Sequence, residues 1–352
     1  MSAEALRPTT DLDYPFPTPP LPGDVLQIAN GVHWLRMPLP GRLDHVNLWL
    51  LEADDGWTIV DCGLNNEATD GIWRGLFQGM LADRPIRSII LTHSHVDHIG
   101  YLGHLAERTG APITMTIAEY LSGSARIFEP SERMERQAVY TMSRCGCPPD
   151  LIEAMVSRRR EVRGSYSGIP PYYIRAVAGQ TIVAGGRRWE IHTFGGHSPE
   201  MLCLYDPTER LLIAGDQVLS QITPSINIFP AEPWGDPLSA FYESFPRLEA
   251  FPDDTFVLPS HGRPFYGLHT RIRQVREHHQ ARLAKILSFV EGGATPYEVA
   301  LKTFARAMAE QVARQALAET LAHLHYLENQ GAITATIDDA GVIRYSPAAR
   351  HT

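Results

Sequence analysis

The amino-acid sequence predicts an α/β protein in which a β-sheet layer is covered by helices and a smaller second domain follows. Two observations predict this class. Apolar runs that are rich in β-branched residues and too short for helices alternate with stretches whose apolar residues recur at helical spacing. A chain of 352 residues is also long enough for one large core and a smaller additional one.

The first part of the chain supplies most of the predicted strands. Residues 1–24 are proline-rich and lack the basic start and apolar segment of a signal sequence, so we interpret them as an N-terminal arm. A helix is predicted over 70–81, where Ile72, Leu76 and Met80 share one face. The strand-like runs between the arm and this helix lie at 25–28, 32–37, 45–51 and 57–60.

Two later segments depart from this pattern. Residues 117–174 are helix-leaning and rich in arginine, methionine and tyrosine, and we interpret them as an insertion that reaches over the functional site. Residues 267–352 predict a second domain with long helices at 269–290 and 313–329 and a hairpin across 338–341. Three helices followed by a hairpin resemble a winged-helix domain. Four histidines of this domain are expected to face solvent or an interface: His278, His279, His323 and His325.

The most informative stretch of the chain is the hexad His-Ser-His-Val-Asp-His at 93–98, which supplies three imidazoles and a carboxylate. An apolar, β-branched run precedes it and a stripe at helical spacing follows it, so the hexad is predicted to lie where a strand ends and a helix begins. His93 and His95 share a side in extended chain, whereas Asp97 and His98 fall in the first helical turn. One loop can therefore serve two metal ions.

Three further candidates each follow an apolar run and precede a turn. His197 stands in Gly-Gly-His-Ser-Pro, Asp216 ends the run Leu-Leu-Ile-Ala-Gly-Asp, and His261 is followed by a glycine. We expect these strand ends to meet along one sheet edge, where a rigid scaffold collects ligands from distant parts of the chain.

The order and spacing of these residues resemble the metallo-β-lactamase-fold hydrolases over roughly residues 25–265. The resemblance implies a catalytic domain over 25–266 that is an αββα sandwich, with two mixed β-sheets between helices. It implies that Asp216 bridges two metal ions and that Asp61 orients the histidine loop by hydrogen bonds without touching metal. An aspartate that caps a turn is the alternative for Asp61. The other implied ligands are His93, His95 and His197 for one ion and Asp97, His98 and His261 for the second.

Two positions narrow the resemblance within the superfamily. An aspartate at the bridging position, Asp216, is unlike the true β-lactamases of this fold. A histidine at position 95 is unlike the flavo-diiron proteins, which have glutamate there and an added flavin domain. What remains resembles glyoxalase II, the related thioesterases and lactonases, and the β-lactamase-like proteins with a C-terminal helical domain.

The predicted donor set suits a hydrolytic, dinuclear zinc centre. Five neutral imidazoles with carboxylate oxygens fit two Zn²⁺ ions per chain, and Fe or Mn is tolerated where oxygen donors dominate. Two such ions lower the pKa of a bridging water toward neutrality, so a metal-bridging hydroxide is expected to attack a thioester, a lactone or a similar activated carbonyl. The resemblance implies that Asp97 is catalytic: it orients this hydroxide and then passes its proton to the leaving group.

The composition of the chain indicates which partners and which cellular location to expect. A net charge of −9 argues against a broad surface for nucleic acid or membrane and favours a small-molecule substrate. No apolar run approaches the ~20 residues that a membrane helix needs. A Cys-x-Cys pair is too close for an ordinary disulfide, which favours a reduced, cytoplasmic location. The cysteines are Cys62, Cys145, Cys147 and Cys203.

Two alternatives to a small-molecule hydrolase stay open. Some β-lactamase-like relatives with a C-terminal tail of this kind cleave RNA, so a phosphodiester nuclease is one. Against it, residues 267–352 hold ten Arg and Lys and eight Asp and Glu, a net charge of +2, and the helix at 313–329 is rich in alanine and leucine. Packing or a homodimer contact suits that helix better. The other alternative is a non-enzymatic, metal-dependent regulator whose tail binds a partner.

Aromatic residues supply the candidates for the substrate pocket. Tyr172 and Tyr173 lie in a stiff Ile-Pro-Pro-Tyr-Tyr-Ile loop of the predicted insertion. Phe229 and Trp234 lie in the proline-rich loop that follows Asp216. Ordinary packing is the alternative for each of them.

Overall fold

A computed structural model describes residues 11–129, 131–229, 231–309 and 312–349 of the chain, so the first ten residues of the predicted arm lie outside it. The strands are β1 (Val25–Ala29), β2 (Val32–Pro38), β3 (His45–Ala53), β4 (Gly56–Val60), β5 (Ile86–Ile90), β6 (Ile113–Met115), β7 (Ile174–Arg175), β8 (Thr181–Ala184), β9 (Arg187–Phe194), β10 (Met201–Asp206), β11 (Leu211–Gly215), β12 (Phe256–Pro259), β13 (Ile333–Ile337) and β14 (Ile343–Pro347). The helices are α1 (Glu67–Gln78), α2 (Val96–Ile99), α3 (Leu102–Thr109), α4 (Ile117–Phe128), α5 (Ser131–Arg144), α6 (Pro149–Arg163), α7 (Pro237–Leu248), α8 (Leu268–Phe289), α9 (Pro296–Thr303), α10 (Ala305–Ala309) and α11 (Ala313–Asn329).

Two mixed β-sheets form the centre of the molecule. The larger sheet runs β1 to β7 in chain order, and its first three pairings are antiparallel while those from β4 to β7 are parallel. The smaller sheet has the order β12-β11-β10-β9-β8, with a parallel pairing between β11 and β12 and antiparallel pairings elsewhere. Both sheets are therefore mixed, and this prediction is confirmed.

Alternation along the central strands divides the interior into layers. In β3, Leu48 and Leu50 pack into a core with α1 and α3, whereas Trp49 and Leu51 face the smaller sheet. Successive side chains of a strand point to opposite faces, so one strand contributes to both cores. A third core joins the other face of the smaller sheet to α7 and α8. The layers are helix, sheet, sheet and helix, as the resemblance implied.

The C-terminal region shares a core with the smaller sheet. Helices α8 and α11 and the β13–β14 hairpin are present close to their predicted bounds, and α9 lies between the two helices in the chain. Helix α11 packs against α7, α8 and α9. Thr295 and Glu298 form a reciprocal capping box at the start of α9. The expectation that the histidines of this region face solvent or an interface is wrong for His279 and His323, which are fully buried between α8 and α11.

The predicted insertion divides between two parts of the molecule. Helix α4 contacts the histidine loop, because Glu119 accepts a hydrogen bond from the backbone N–H of Ser94. Helices α5 and α6 instead pack on the C-terminal region, where Met142 and Ile152 join its core and the carbonyl of Cys145 accepts from Tyr297. Their apolar faces are buried there, which the sequence did not indicate.

The sequence contains no run long enough for a membrane helix, and its Cys-x-Cys pair is too close for an ordinary disulfide. None of the helices within the described ranges has the length and apolar character that crossing a membrane requires. All four cysteines are buried thiols that form no disulfide. Burial raises the pKa of the Cys147 thiol to about 12, so the protonated form is strongly favoured there.

Candidate metal centre

The candidate ligands meet where the ends of both sheets come together, rather than along the edge of one sheet as the sequence suggested. The hexad follows β5 of the larger sheet, while the other candidate ligands follow β9, β11 and β12 of the smaller one. Two backbone hydrogen bonds join the sheets here: Leu202 donates to Thr92 at 2.8 Å and Asn47 donates to Ser260 at 2.7 Å. The candidate ligands therefore lie where backbone hydrogen bonds join the two sheets.

Three imidazole nitrogens converge in what we call site A. His93 Nε2 and His197 Nε2 each lie 3.0 Å from His95 Nδ1. A tetrahedral zinc ion with Zn–N distances of ~2.0–2.1 Å holds its nitrogens about 3.3 Å apart. The spacing of these three atoms is therefore close to what one zinc ion requires. Burial lowers the pKa of all three histidines, which favours the neutral, metal-binding form.

Site B lies beside site A and contains Asp97, His98 and His261. Asp97 Oδ2 is 3.7 Å from His98 Nε2 and 3.4 Å from His261 Nε2. The helix α2 begins at Val96, so Asp97 and His98 do fall in its first turn. A carboxylate in that position is favoured by the helix dipole.

Asp216 presents one oxygen to each site. Its Oδ1 lies 3.6 Å from His98 Nε2 and 3.4 Å from His261 Nε2, both in site B. Its Oδ2 lies 3.3 Å from His197 Nε2 in site A. A carboxylate that faces two sets of ligands in this way is placed to bridge two cations.

Buried polar atoms at these sites test whether metal ions fit. Among the described residues, His98 Nε2, His261 Nε2 and Asp216 Oδ1 are buried side-chain atoms that have no hydrogen-bond partner. A buried acceptor that is left unpaired costs about 1–3 kcal/mol, more if charged. All three atoms point into the same space, and divalent cations would satisfy them together, so the residues fit the metal that the fold implies.

The charges of site B are strongly coupled. Burial lowers the pKa values of His98 and His261, but nearby carboxylates outweigh it. Asp97, Asp61 and Asp216 raise the pKa of His98 to about 9, and Asp216 and Asp97 raise that of His261 to about 10. Burial raises the pKa values of Asp97 and Asp216, but the two imidazolium charges hold both well below the usual range. Two carboxylates therefore stay ionised in a buried space, and a metal cation that binds there takes the place of the two imidazole protons.

Asp61 contacts the candidate ligand His98 and is not a member of site A or site B. Its Oδ2 accepts a hydrogen bond from His98 Nδ1 at 2.8 Å, which directs His98 Nε2 toward site B. Its two oxygens also accept from the backbone N–H and the hydroxyl of Thr92, each at 2.8 Å. Asp61 has a positive φ of 63°, a conformation that Asp and Asn tolerate better than other side chains with a Cβ.

The residues that hold the other histidines were not found from the sequence. His197 Nδ1 donates to the carbonyl of Ser225 at 2.9 Å, and His261 Nδ1 donates to the carbonyl of His45 at 2.8 Å. Asn47 Nδ2 donates to the carbonyls of Pro259 and Gly262 on either side of His261. A polar residue inside the apolar run of β3 was the available signal for Asn47. Backbone carbonyls carry no sequence signal at all.

Arg126 and Tyr166 also lie near the sites. Burial raises the pKa of the Tyr166 hydroxyl, and the negative charge of Asp97 raises it further. The same hydroxyl hydrogen-bonds with Arg126. Burial lowers the pKa of His95, and the positive charge of Arg126 lowers it further. These groups add a positive charge and a hydroxyl beside the candidate ligands.

The four predicted pocket aromatics differ in exposure and in their contacts. Tyr173 stacks on Tyr120 with ring centroids 4.0 Å apart, and Phe229 is half-buried. Tyr172 and Trp234 are 70% and 86% exposed. Across the part of the chain that the structure describes, no hydrogen bond or ring contact links any of the four to the site A or site B histidines, and their role in a pocket stays a prediction.

Gly196, which precedes His197, makes a close approach that requires glycine. Its φ is +108°, and a Cβ built there lies 2.5 Å from the Cβ of Phe241 and 2.8 Å from its Cα. We expect Gly196→Ala to lower the free energy of unfolding by about 2–5 kcal/mol, because backbone strain and overpacking add. Urea denaturation in the presence of a chelator measures this change without a contribution from metal binding.

The matched control is Gly110→Ala. Gly110 also has a positive φ, of +63°, but a Cβ there meets nothing within 4 Å. Its substitution is expected to cost about 1–2 kcal/mol from the backbone alone. Equal losses in the two variants would contradict the role assigned to the contact between Gly196 and Phe241.

A family model described as the metallo-beta-lactamase superfamily matches residues 41–270. The chain belongs to the metallo-beta-lactamase superfamily. A second model, described as the C-terminal domain of metallo-beta-lactamase-like proteins, matches residues 283–348. A crystal structure of a beta-lactamase domain protein from Burkholderia ambifaria is 36% identical, with a TM-score of 0.86, over 98% of this chain and 99% of that one.

Curated relatives in this superfamily have several activities. A probable metallo-hydrolase, YqjP of Bacillus subtilis, is 25% identical over 86% of this chain and 93% of its own length. A linear primary-alkylsulfatase of a Pseudomonas species is 24% identical over 62% of this chain and 42% of its own length. The acyl-coenzyme A thioesterase MBLAC2 of Gallus gallus is 23% identical over 54% of this chain and 64% of its own length. The chain is a metallo-hydrolase of this superfamily, and its His/Asp clusters suit divalent metals.

Proposed function

We propose that this metallo-hydrolase holds two Zn²⁺ ions and hydrolyses a thioester, a lactone or a similar activated carbonyl. The observation that carries the proposal is Asp216, whose two oxygens face site A and site B at 3.3–3.6 Å from the nearest imidazole nitrogens. Five imidazoles and two carboxylates favour zinc, with Fe or Mn as the nearest alternatives. In this proposal site A is His93, His95 and His197, and site B is Asp97, His98 and His261.

The chain's own residues divide the catalytic work. Two bound cations lower the pKa of a water molecule toward neutrality and polarise the substrate carbonyl. The side chain of Asp97 is 18% exposed, whereas those of Asp216 and His98 are 2% and 0% exposed. Asp97 is therefore the carboxylate that can reach the entering water, take its proton and return it to the leaving group. Asp216 stays buried and holds the two sites at a fixed separation.

The relatives and the C-terminal helix support a small-molecule substrate. An acyl-coenzyme A thioesterase is among the curated relatives, which supports a thioester carbonyl. Residues 319–324 of α11 are all buried, and six consecutive helical residues cover the whole circumference of a helix. A helix covered on every side is poorly placed to enter a nucleic-acid groove, which disfavours the nuclease alternative. A cytoplasmic location and a homodimer stay predictions.

A substrate panel on metal-quantified protein tests the proposal. The panel contains acyl-coenzyme A and glutathione thioesters, lactones, β-lactams, primary alkyl sulfates, phosphodiesters and RNA. We expect kcat/KM for a thioester or lactone to reach about 10⁴ M⁻¹ s⁻¹ or more, which is the usual enzymatic range. Chelation should abolish this activity, and added Zn²⁺ should restore it.

Three other outcomes would contradict the proposal, each in its own way. Turnover of alkyl sulfates alone would move the reaction from carbonyl to sulfate-ester hydrolysis. Turnover of RNA, with binding that weakens steeply as salt rises, would favour the nuclease alternative. Two bound metals with no turnover of any substrate would favour the metal-dependent regulator.

A further inference from the structure

We propose that Glu319, on α11 of the C-terminal region, is a positioning residue for the metal centre. It holds Ser225, whose carbonyl fixes the orientation of the His197 imidazole. The proposal rests on the metal-binding role given to His197 above. It makes the C-terminal region part of the machinery of site A rather than an appended module.

The segment that follows Asp216 needs partners from outside itself. Residues 217–229 form neither helix nor strand, and most of them are buried. Buried backbone N–H and C=O groups that belong to no helix or strand must find hydrogen-bond partners elsewhere. Arg271, fully buried in α8, donates from Nε to the carbonyl of Leu219 at 2.5 Å and from Nη2 to that of Ile222 at 2.7 Å.

The second half of the segment is held by α11. The backbone N–H of Ile228 donates to the carbonyl of Ala318 at 3.2 Å. The Ser225 hydroxyl donates to Glu319 Oε2 at 3.4 Å, while the Ser225 carbonyl accepts from His197 Nδ1 at 2.9 Å. A continuous chain of contacts therefore runs from α11 through Ser225 to His197.

Glu319 is itself fixed in place. It is 2% exposed and forms an ion pair with Arg282 on α8, which is 5% exposed and lies 4.8 Å from the ring centre of Phe304. Separating a buried ion pair leaves two uncompensated charges away from water, so the Glu319 carboxylate and the Arg282 guanidinium hold each other in place. A charged acceptor held in this way can position the hydroxyl of Ser225.

The consequence for His197 follows from imidazole chemistry. When Nδ1–H is held by an acceptor, Nε2 carries the lone pair and keeps one direction. His197 Nε2 faces both His95 Nδ1 at 3.0 Å and Asp216 Oδ2 at 3.3 Å. If the Ser225 carbonyl moves, the ring of His197 is free to rotate away from both.

Zinc release from the full-length chain tests the proposal. The wild-type protein, Ser225→Ala, Glu319→Gln and the double variant are loaded with Zn²⁺ alone, and transfer of zinc to a chromogenic chelator is followed with time. We expect each single variant to weaken zinc binding about 10-fold or more. The double variant should bind zinc no more weakly than the worse single one, because both substitutions act on the same contact: Ser225→Ala removes the hydroxyl, and Glu319→Gln removes the charge that accepts from it.

Leu327→Ala is the control for a merely structural effect. Leu327 is buried in the same helix, two turns beyond Glu319, and takes no part in the contact chain. We expect it to lower Tm while zinc release stays as in the wild type. If Glu319→Gln fails to fold, zinc release from Ser225→Ala still tests the proposal, because that substitution removes only a hydroxyl.

Two results would overturn the proposal. One is wild-type zinc release in Ser225→Ala. The other is a loss of zinc in Leu327→Ala equal to that in Ser225→Ala and Glu319→Gln. A wild-type protein that binds two Zn²⁺ ions but turns over no substrate would overturn the proposed function and leave this inference standing.

Discussion

Replacing Asp216 with alanine is expected to leave fewer than two metal ions per chain and to lower kcat/KM by about 10³-fold or more. Asp216 is the residue whose two oxygens face both sites, so its loss removes a ligand from each. It also removes a negative charge that offsets the repulsion between two divalent ions about 3.5–4 Å apart. Losing one electrostatic contact to a reacting centre commonly costs 10²–10³ in rate, and two affected metals set the upper part of that range.

Metal content by mass spectrometry and steady-state kinetics on the substrate found in the panel measure both effects. Asp254→Ala is the matched control, because Asp254 is 62% exposed and pairs with Arg210 on the surface. Exposed pairs of this kind contribute little to stability. An Asp216→Ala protein that kept two metals and the wild-type rate would contradict the bridging role.

Replacing Asp61 with asparagine is expected to weaken metal binding at site B by about 10- to 100-fold. Asparagine suits the positive φ of 63°, and its oxygen can still accept from the Thr92 N–H. Its amide nitrogen, however, faces His98 Nδ1 where Asp61 Oδ2 accepts at 2.8 Å. Two donors then oppose each other. His98 must either turn, which takes Nε2 away from site B, or change tautomer, which puts a proton on Nε2 and removes its metal-binding lone pair.

Competition with a chelator of known affinity measures the metal binding of Asp61→Asn, and thermal denaturation of the chelated protein measures its fold. We expect a large change in the first and a small change in the second. Asp61→Ala serves as a comparison, because it adds backbone strain and loses the bonds to Thr92 as well. Equal metal affinity in Asp61→Asn and wild type would return Asp61 to the alternative of a turn-capping residue.

The sequence predicted many regular elements of both the catalytic domain and the C-terminal region, because their periodicity is local. The run at 45–51 became β3 and the helix at 313–329 became α11. The hexad lies at the junction of β5 and α2, with Asp97 and His98 in the first helical turn. Strand length, helical spacing and turn residues are all encoded within a few positions.

The sequence failed where packing between distant segments decided the outcome. His279 and His323 looked like surface residues, yet α8 and α11 bury them against each other. Helices α5 and α6 were expected over the site but pack on the C-terminal region. Local pattern gives the apolar face of a helix but does not name the surface that covers it.

By itself, the sequence determined the kind of chemistry, since three imidazoles and a carboxylate in one hexad, with His197, Asp216 and His261, already indicate a metal site. Tertiary structure decided that the ends of two different sheets bring those donors together and which backbone carbonyls hold the imidazoles. Ser225 and His45 act through carbonyls that every residue possesses, so no side chain marks them. Donor identity is written in side chains, whereas donor orientation depends on contacts that form when the chain has folded.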